Sequence, residues 1–190
     1  KDIVLAVSGV ETELDKTMVE RISDPLMHLV RNAMDHGIES TSIRQARGKD
    51  ARATVSLNAY HDAGSIVIEV SDDGAGLNRE RILAKAIERG LLNADQPPLA
   101  DSDLWNVIFE PGFSTADKIS NLSGRGVGMD VVKRSITDLR GTVEIDSVEG
   151  AGTTIRIRLP LTLAIIDGFL IGVGNSVFVV PLDMVEECIE

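Results

Sequence analysis

Apolar residues recur along this chain with two periods, one near 3.6 and one of 2, and the switches between them mark out the elements. Ile3 to Val7 is a short apolar run that predicts a strand. Leu14 to Ile22 reads as a helix ended by Asp24-Pro25. That pair also suits the start of a second helix, with Asp24 as N-cap and Pro25 at the first helical position. The second helix buries Leu26, Leu29, Val30 and Ala33 and runs to about His36, where Gly37 is a natural stop. A further short helix is expected over Ser40 to Arg47, closed by Gly48. Ala53 to Tyr60 and Ser65 to Ser71 alternate as strands and pair as a hairpin turning around Asp62 and Gly64. Helices follow over Arg79 to Arg89, over Ser102 to Phe109 with Asp101 or Ser102 as cap, and over Met129 to Leu139. Thr142 to Ser147 and Thr153 to Leu159 make a last hairpin across Glu149-Gly152. Glu110 to Gly128 has no periodicity, and its glycines, prolines and small polar residues predict a long loop of the kind that carries function.

From Leu161 the composition changes. Residues 161–190 contain five acidic residues and no Lys or Arg, and they read as strands over Leu163 to Val173 and Ser176 to Val180. A domain boundary is therefore expected near Pro160, giving domains over 1–160 and 161–190. A piece of this size cannot build its own core, so it is expected to be the truncated start of a β domain. The same stretch is the most apolar of the chain. Asp167, Asn175, Ser176 and the glycines at 168, 172 and 174 make it poor material for a membrane span. No signal peptide is apparent, a cytoplasmic protein without membrane insertion is expected, and the start at Lys1 suggests a piece of a longer chain. A formal charge of -11 argues against a non-specific nucleic-acid surface. With Cys188 as the single cysteine, no disulfide framework forms within the chain.

Four small constellations carry candidate chemistry. His28, Asn32 and His36 follow one another at spacings of four, which aligns them on one helix face, with Arg31 and Asp35 beside them. Asn offers a neutral carbonyl oxygen that suits a magnesium ion keeping most of its water. On this segment alone a solvated face with two surface histidines is the favoured reading. Asp72-Asp73-Gly74-Ala75-Gly76 follows a strand, where a carboxylate can accept from an exocyclic amine and glycines admit a flat ring closely, although a plain Asp-Gly turn is common. Gly124-Arg125-Gly126-Val127-Gly128-Met129 opens a helix, and unpaired N–H groups there with the helix dipole favour phosphate. It matches neither a Walker A loop nor a dinucleotide fingerprint. Gly150-Ala151-Gly152-Thr153 precedes the last strand and is accounted for by a hairpin turn.

Taken in order, these motifs resemble the N box and the three glycine boxes of the GHKL ATPase superfamily, which includes gyrase B, MutL and the histidine kinases. Phe109 and Phe113 resemble the kinases' F box. The runs Asp24 to Glu39, Pro111 to Thr115 and Gly124 to Val132 are similar to the CheA-type histidine kinases, and the likeness covers essentially the whole chain. The resemblance implies a two-layer α/β sandwich, the Bergerat fold, with helices on one face of a mixed sheet, then a truncated SH3-like β segment. It implies a protein-histidine kinase that binds Mg-ATP and passes the γ-phosphoryl group to a histidine on a separate CheA phosphotransfer domain.

On that resemblance Asn32 and His36 would hold Mg²⁺, and His28, Asn32 and His36 would be the catalytic set. Arg31, Asp35 and Arg81 would line the phosphates, Asp72 would read the adenine amine with Thr153, and Gly74 and Gly76 would shape the adenine wall. Ser114 and Thr115 would belong to a lid, and Gly124, Arg125, Gly126, Val127, Gly128 and Met129 would cradle phosphate. The implied partners are the phosphotransfer domain, CheW and chemoreceptors, with dimerisation through a segment absent from this sequence. His28 departs from the gyrase-like pattern, which has a Glu there as base for water, and this favours phosphotransfer over hydrolysis. An ATP hydrolase, a serine kinase and a non-catalytic binding module are the competing readings. His61, the remaining histidine, is expected in an exposed hairpin without a role.

Overall fold

The computed structural model describes residues 1–95, 97–113, 128–161, 168–174 and 176–181. Strand β1 (Ile3–Ser8) leads to helix α1 (Lys16–Asn32), a π-turn (Ala33–Gly37) and helix α2 (Thr41–Ala46). The hairpin β2 (Ala53–Asp62) and β3 (Ser65–Asp72) follows, then α3 (Arg79–Glu88), α4 (Asp101–Asn106) and a 3-10 turn (Val107–Phe109). Helix α5 (Met129–Asp138) and the hairpin β4 (Thr142–Val148) and β5 (Gly152–Pro160) complete the main sheet. Strands β6 (Gly168–Val173) and β7 (Ser176–Pro181) pair with each other in a separate two-stranded sheet.

The sequence pattern locates β1 to β5 and β7 to within a residue or two, and β6 by its end at Val173, whereas the expected start of that strand at Leu163 lies outside the described residues; the helical stretch before Gly37 differs from expectation. One helix, α1, runs through Asp24-Pro25, and its N-cap is Asp15, whose carboxylate accepts from the Thr17 N–H at 2.8 Å. A proline inside a helix removes one backbone bond and costs about 3 kcal/mol in an exposed setting. Here the apolar phase continues unbroken across it. Ile22, Pro25 and Leu29 are all buried on the stripe that faces the sheet, so burial of the stripe outweighs the missing bond. Helix α4 likewise starts at Asp101 itself, with Ala100 at the cap position and no side-chain cap.

The main sheet has the order β1-β2-β3-β5-β4. β1 lies parallel to β2 and every other pair is antiparallel, so the sheet is mixed. Register places Leu57, Val70 and Ile155 in one row and Ala59, Ile68 and Ile157 in the next. These rows make the apolar face, which packs with Ile22, Leu29 and Ala33 of the α1 segment and Val132 and Ile136 of α5. A second cluster gathers Ile82 and Ala86 of α3, Leu104 and Trp105 of α4, Phe109, Phe113 and Ile145. Met129, Val143 and Ile155 touch both clusters.

The opposite face of the sheet is polar. Arg156 of β5 pairs with Glu69 at 2.7 Å and Asp146 at 3.1 Å, and Arg158 pairs with Asp62 at 2.8 Å. Val67 is fully buried there among these long side chains. The architecture is thus an α/β sandwich with helices on the apolar face and a small extra sheet near the C-terminus. On β6 and β7, Leu170, Val177 and Val179 are each more than half exposed. Among the described residues no helix is long and apolar enough to cross a membrane.

Candidate functional site

The ends of β3 and β5, the π-turn and the N-terminus of α5 meet at one end of the apolar face. Asp72 is the last residue of β3 and pairs in register with Thr153 of β5, which pairs with Ser147 of β4. The three share side-chain parity with Val70, Ile155 and Ile145, so they extend the buried rows as a polar margin on the helix side. A cavity of about 240 Å³ is lined by Asp72, Ser147, Gly152 and Thr153 with their neighbours. The Asp72 carboxylate Oδ1 accepts from the Gly74 N–H at 2.9 Å. Burial pushes its pKa above the ordinary value, the Gly74 and Thr153 N–H groups pull it back, and the charges of Asp73 and Glu39 push it up again.

The glycines after Asp72 are needed for chain packing as well as for any ligand. A Cβ on Gly74 would lie 2.1 Å from the Gly37 carbonyl oxygen. A Cβ on Gly76, whose φ is +69°, would lie 2.2 Å from the Val148 carbonyl oxygen. The Ala75 N–H donates to Gly37 O at 2.8 Å, and the Gly150 N–H donates to Ala75 O at 2.6 Å. The turn 72–76 is therefore nested between the π-turn and the β4–β5 hairpin. This makes a structural use of Gly74 and Gly76 that the sequence pattern alone assigns to a ring.

The π-turn carries the other half. Asn32 ends α1, and its Nδ2–H donates to Met129 Sδ at the start of α5, 3.3 Å away. That contact leaves Asn32 Oδ1 as the atom suited to a hard cation. Gly37 closes the turn against Asp72, its Cβ position 2.9 Å from Oδ2. Asn32 thus touches Met129, Asp72 pairs with Thr153, and Gly37 sets the π-turn against Asp72. His28 is half-buried one turn before Asn32. Burial first, then the neighbouring charges of Arg31 and His36, lower its pKa, so the imidazole is neutral at pH 7 and able to accept. Arg31, Asp35 and His36 are exposed at the rim, and Arg81 is exposed in the first turn of α3.

Gly128 is the cap position of α5 and brings no side chain to cap it, and Asp130 is the acidic residue of the first turn. This end is suited to an anion. The expected site residues Ser114, Thr115, Gly124, Arg125, Gly126 and Val127 lie outside the described residues. Phe109 and Phe113 are buried in the second cluster, under Lys133 and Arg89 respectively, and hold the chain on either side of Pro111. Among the described residues no group of three or more His, Cys, Asp or Glu gathers as a ready-made metal cage. One amide oxygen near a helix N-terminus is a donor set that would fit a magnesium ion bound mainly through water and phosphates.

A cluster of charge behind the Asp72 turn is not apparent from the sequence pattern. Arg44 of α2 is 1% exposed. It bonds Asp50 O, Glu39, Asp73 O, Arg52 O and Asp73 Oδ2 at 2.8 to 3.4 Å. Lys49 bonds Glu39, Asp73 O and Gly74 O. The signal available was a basic run around Gly48 that no surface periodicity explains.

An α/β sandwich with this mixed five-stranded sheet and helices on one face is the fold of the GHKL class. Residues 21–163 match the model of the histidine kinase-, DNA gyrase B- and HSP90-like ATPases, and the chain belongs to that family. It is 54% identical to the chemotaxis protein CheA of Salmonella typhimurium over 190 residues, which is all of this chain and 28% of that protein. It is 49% identical to CheA of Bacillus subtilis, over 98% of this chain and 28% of that one. It is equally similar to the sensor histidine kinase CheAY of Helicobacter pylori, covering 24% of it. The chain thus spans under a third of the length of these relatives. Among solved structures, the blue-light-activated histidine kinase EL346 of Erythrobacter litoralis shares the fold. Its TM-score is 0.50 and its identity 17%, over 85% of this chain and 36% of that one.

Proposed function

We propose that this chain binds Mg-ATP and transfers the γ-phosphoryl group to a histidine on a separate phosphotransfer domain of a CheA-type kinase, in two-component chemotaxis signalling. The observation that carries this reading is the meeting of Asn32, Met129, Asp72 and Thr153 at one end of the sheet. Asp72 accepts from the adenine amine, with Thr153 beside it. The first N–H groups of α5 face the phosphates, and Arg31 and Arg81 add positive charge. Asn32 Oδ1 and His36 would hold the magnesium, which when bound would supply charge neutralisation for the phosphates. The neutral His28 accepts a hydrogen bond from, or orients, the incoming acceptor. Residues Pro111 to Arg125 close over ATP as a lid and exclude water. Residues 161–190 begin a regulatory β domain whose partners are CheW and receptors, the parent kinase is a dimer, and the setting is cytoplasmic.

Phosphoryl transfer asks the protein mainly for positioning and charge neutralisation, and the proposed site supplies both. The test uses labelled ATP, this chain and an added CheA-type phosphotransfer domain. Label should reach the added domain only when both proteins are present, and Asn32→Asp should lower the rate about a hundredfold. Label on this chain alone, or an undiminished Asn32→Asp, overturns the assignment.

A further inference from the structure

Behind the Asp72 turn, Arg44 and Lys49 spend every N–H they have. Arg44 has five donors and five acceptors within reach: Asp50 O, Arg52 O, Asp73 O and the carboxylates of Glu39 and Asp73. Lys49 has three, and they go to Glu39 Oε1, Asp73 O and Gly74 O. The Asp73 carbonyl therefore takes one bond from each cation, at 3.0 Å and 2.9 Å.

That carbonyl belongs to the same planar peptide as the Gly74 N–H. No cis peptide occurs among the described residues, so the two point in opposite directions. Pinning the oxygen from the α2 side aims the N–H at Asp72 Oδ1, which it meets at 2.9 Å. Two cations on the oxygen also polarise the amide and strengthen it as a donor. Glu39 sits beneath both cations with its side chain 5% exposed. Asp73 Oδ1 accepts the Thr54 N–H at 3.0 Å, which ties the assembly to β2.

We propose that Lys49 and Arg44 are positioning residues for base recognition: through the Asp73–Gly74 peptide they set the orientation and charge of the Asp72 carboxylate that selects the 6-amino group of the purine. This rests on the reading of Asp72 as the adenine acceptor. It predicts a loss of discrimination between bases rather than a loss of phosphate binding.

The test is calorimetric titration of the whole chain with ATP and with inosine triphosphate, which carries a carbonyl in place of the amine. Lys49→Met should weaken ATP about tenfold, the size of one charge-assisted hydrogen bond, and leave the inosine nucleotide close to its original affinity. Lys49→Arg, which keeps a cation of similar reach, should restore most of the preference. Asp73→Asn, which keeps the shape and weakens the Arg44 pair, gives a second measurement in the same direction. Equal weakening of both nucleotides by Lys49→Met and Asp73→Asn makes the cluster a fold staple only and overturns the proposal. If Asp72→Asn abolishes the preference while Lys49→Met leaves it intact, the Asp72 reading stands and the clamp falls. If the unsubstituted chain shows no preference for ATP, both fall.

Discussion

As the proposed acceptor for an amine, Asp72 acts best as the carboxylate, yet its surroundings work against the charge. Burial and the neighbouring carboxylates of Asp73 and Glu39 raise its pKa above the usual 3.8, and the N–H groups of Gly74 and Thr153 offset this only in part. For a group with a raised folded pKa, the folded state holds the proton more tightly than the unfolded chain. Its contribution to stability is fullest below the unfolded pKa and is lost as pH rises through the folded one. Binding runs the other way: acidification protonates Asp72 while a free aspartate is still ionised, so ATP affinity should fall toward acid pH. Asp72→Asn should remove that acid limb and cut ATP affinity by about tenfold to a hundredfold, read by titration at several pH values. An unchanged acid limb in the variant would assign it elsewhere. At His28 the shift is downward, from burial and from Arg31 and His36, so the unfolded chain gains the proton first and stability declines as pH falls below about 6.5. With a neutral imidazole at pH 7, His28→Ala should slow phosphotransfer by about a hundredfold while leaving ATP affinity within threefold or so. Transfer at the original rate would remove His28 from the mechanism.

At the scale of the element, the turn 72–76 shows how much of the site the chain spells out. Asp72 and the two glycines are legible only through their order with the other motifs, because an Asp-Gly turn by itself is common. Their packing partners, Gly37 and Val148, are distant in sequence, and nothing local reveals that Gly74 lies against Gly37 O. Pro25 misleads for the same reason: local chemistry favours a helix start, whereas the stripe of Ile22, Pro25 and Leu29 against the sheet holds one continuous helix. The role of Arg44 is not legible locally because a buried cation is recognised only by its acceptors, and these come from the two flanks of α2 and from the turn. The nesting of the turn gives a clean contrast between two glycines. Gly74→Ala drives a Cβ into backbone that cannot move alone, and should cost about 2 to 3 kcal/mol together with nucleotide binding. Gly48→Ala meets no atom within 4 Å and is strained only through its φ of +74°, so it should cost about 1 kcal/mol and leave binding intact. Denaturant melts and ATP titration of the pair would separate a close-approach site from an ordinary helix stop.

For the molecule as a whole, the question is why two apolar clusters behave as one support for the site. The first packs α1 and α5 on the sheet, the second packs α3 and α4 around Trp105 and Phe109, and Met129, Val143 and Ile155 belong to both. Val143 and Ile155 are fixed by strand register, so Met129 is the joint that lies at the site itself, first in α5 and in contact with Asn32. Its flexible thioether fills the gap between unlike surfaces and offers sulfur to the amide. Truncation and exchange should therefore give different results. Met129→Ala opens space at the junction and should destabilise by about 2 kcal/mol, with loss of ATP affinity as Asn32 and the start of α5 lose their common contact. Met129→Leu keeps the volume, and its stability should stay within about 1.5 kcal/mol of the original. Leucine has no acceptor for the Asn32 Nδ2–H, so phosphotransfer should still fall in a chain that melts almost normally. If Met129→Leu transferred phosphate at the original rate, the sulfur contact would be packing alone, and the orientation of Asn32 would have to be set by the backbone of the π-turn.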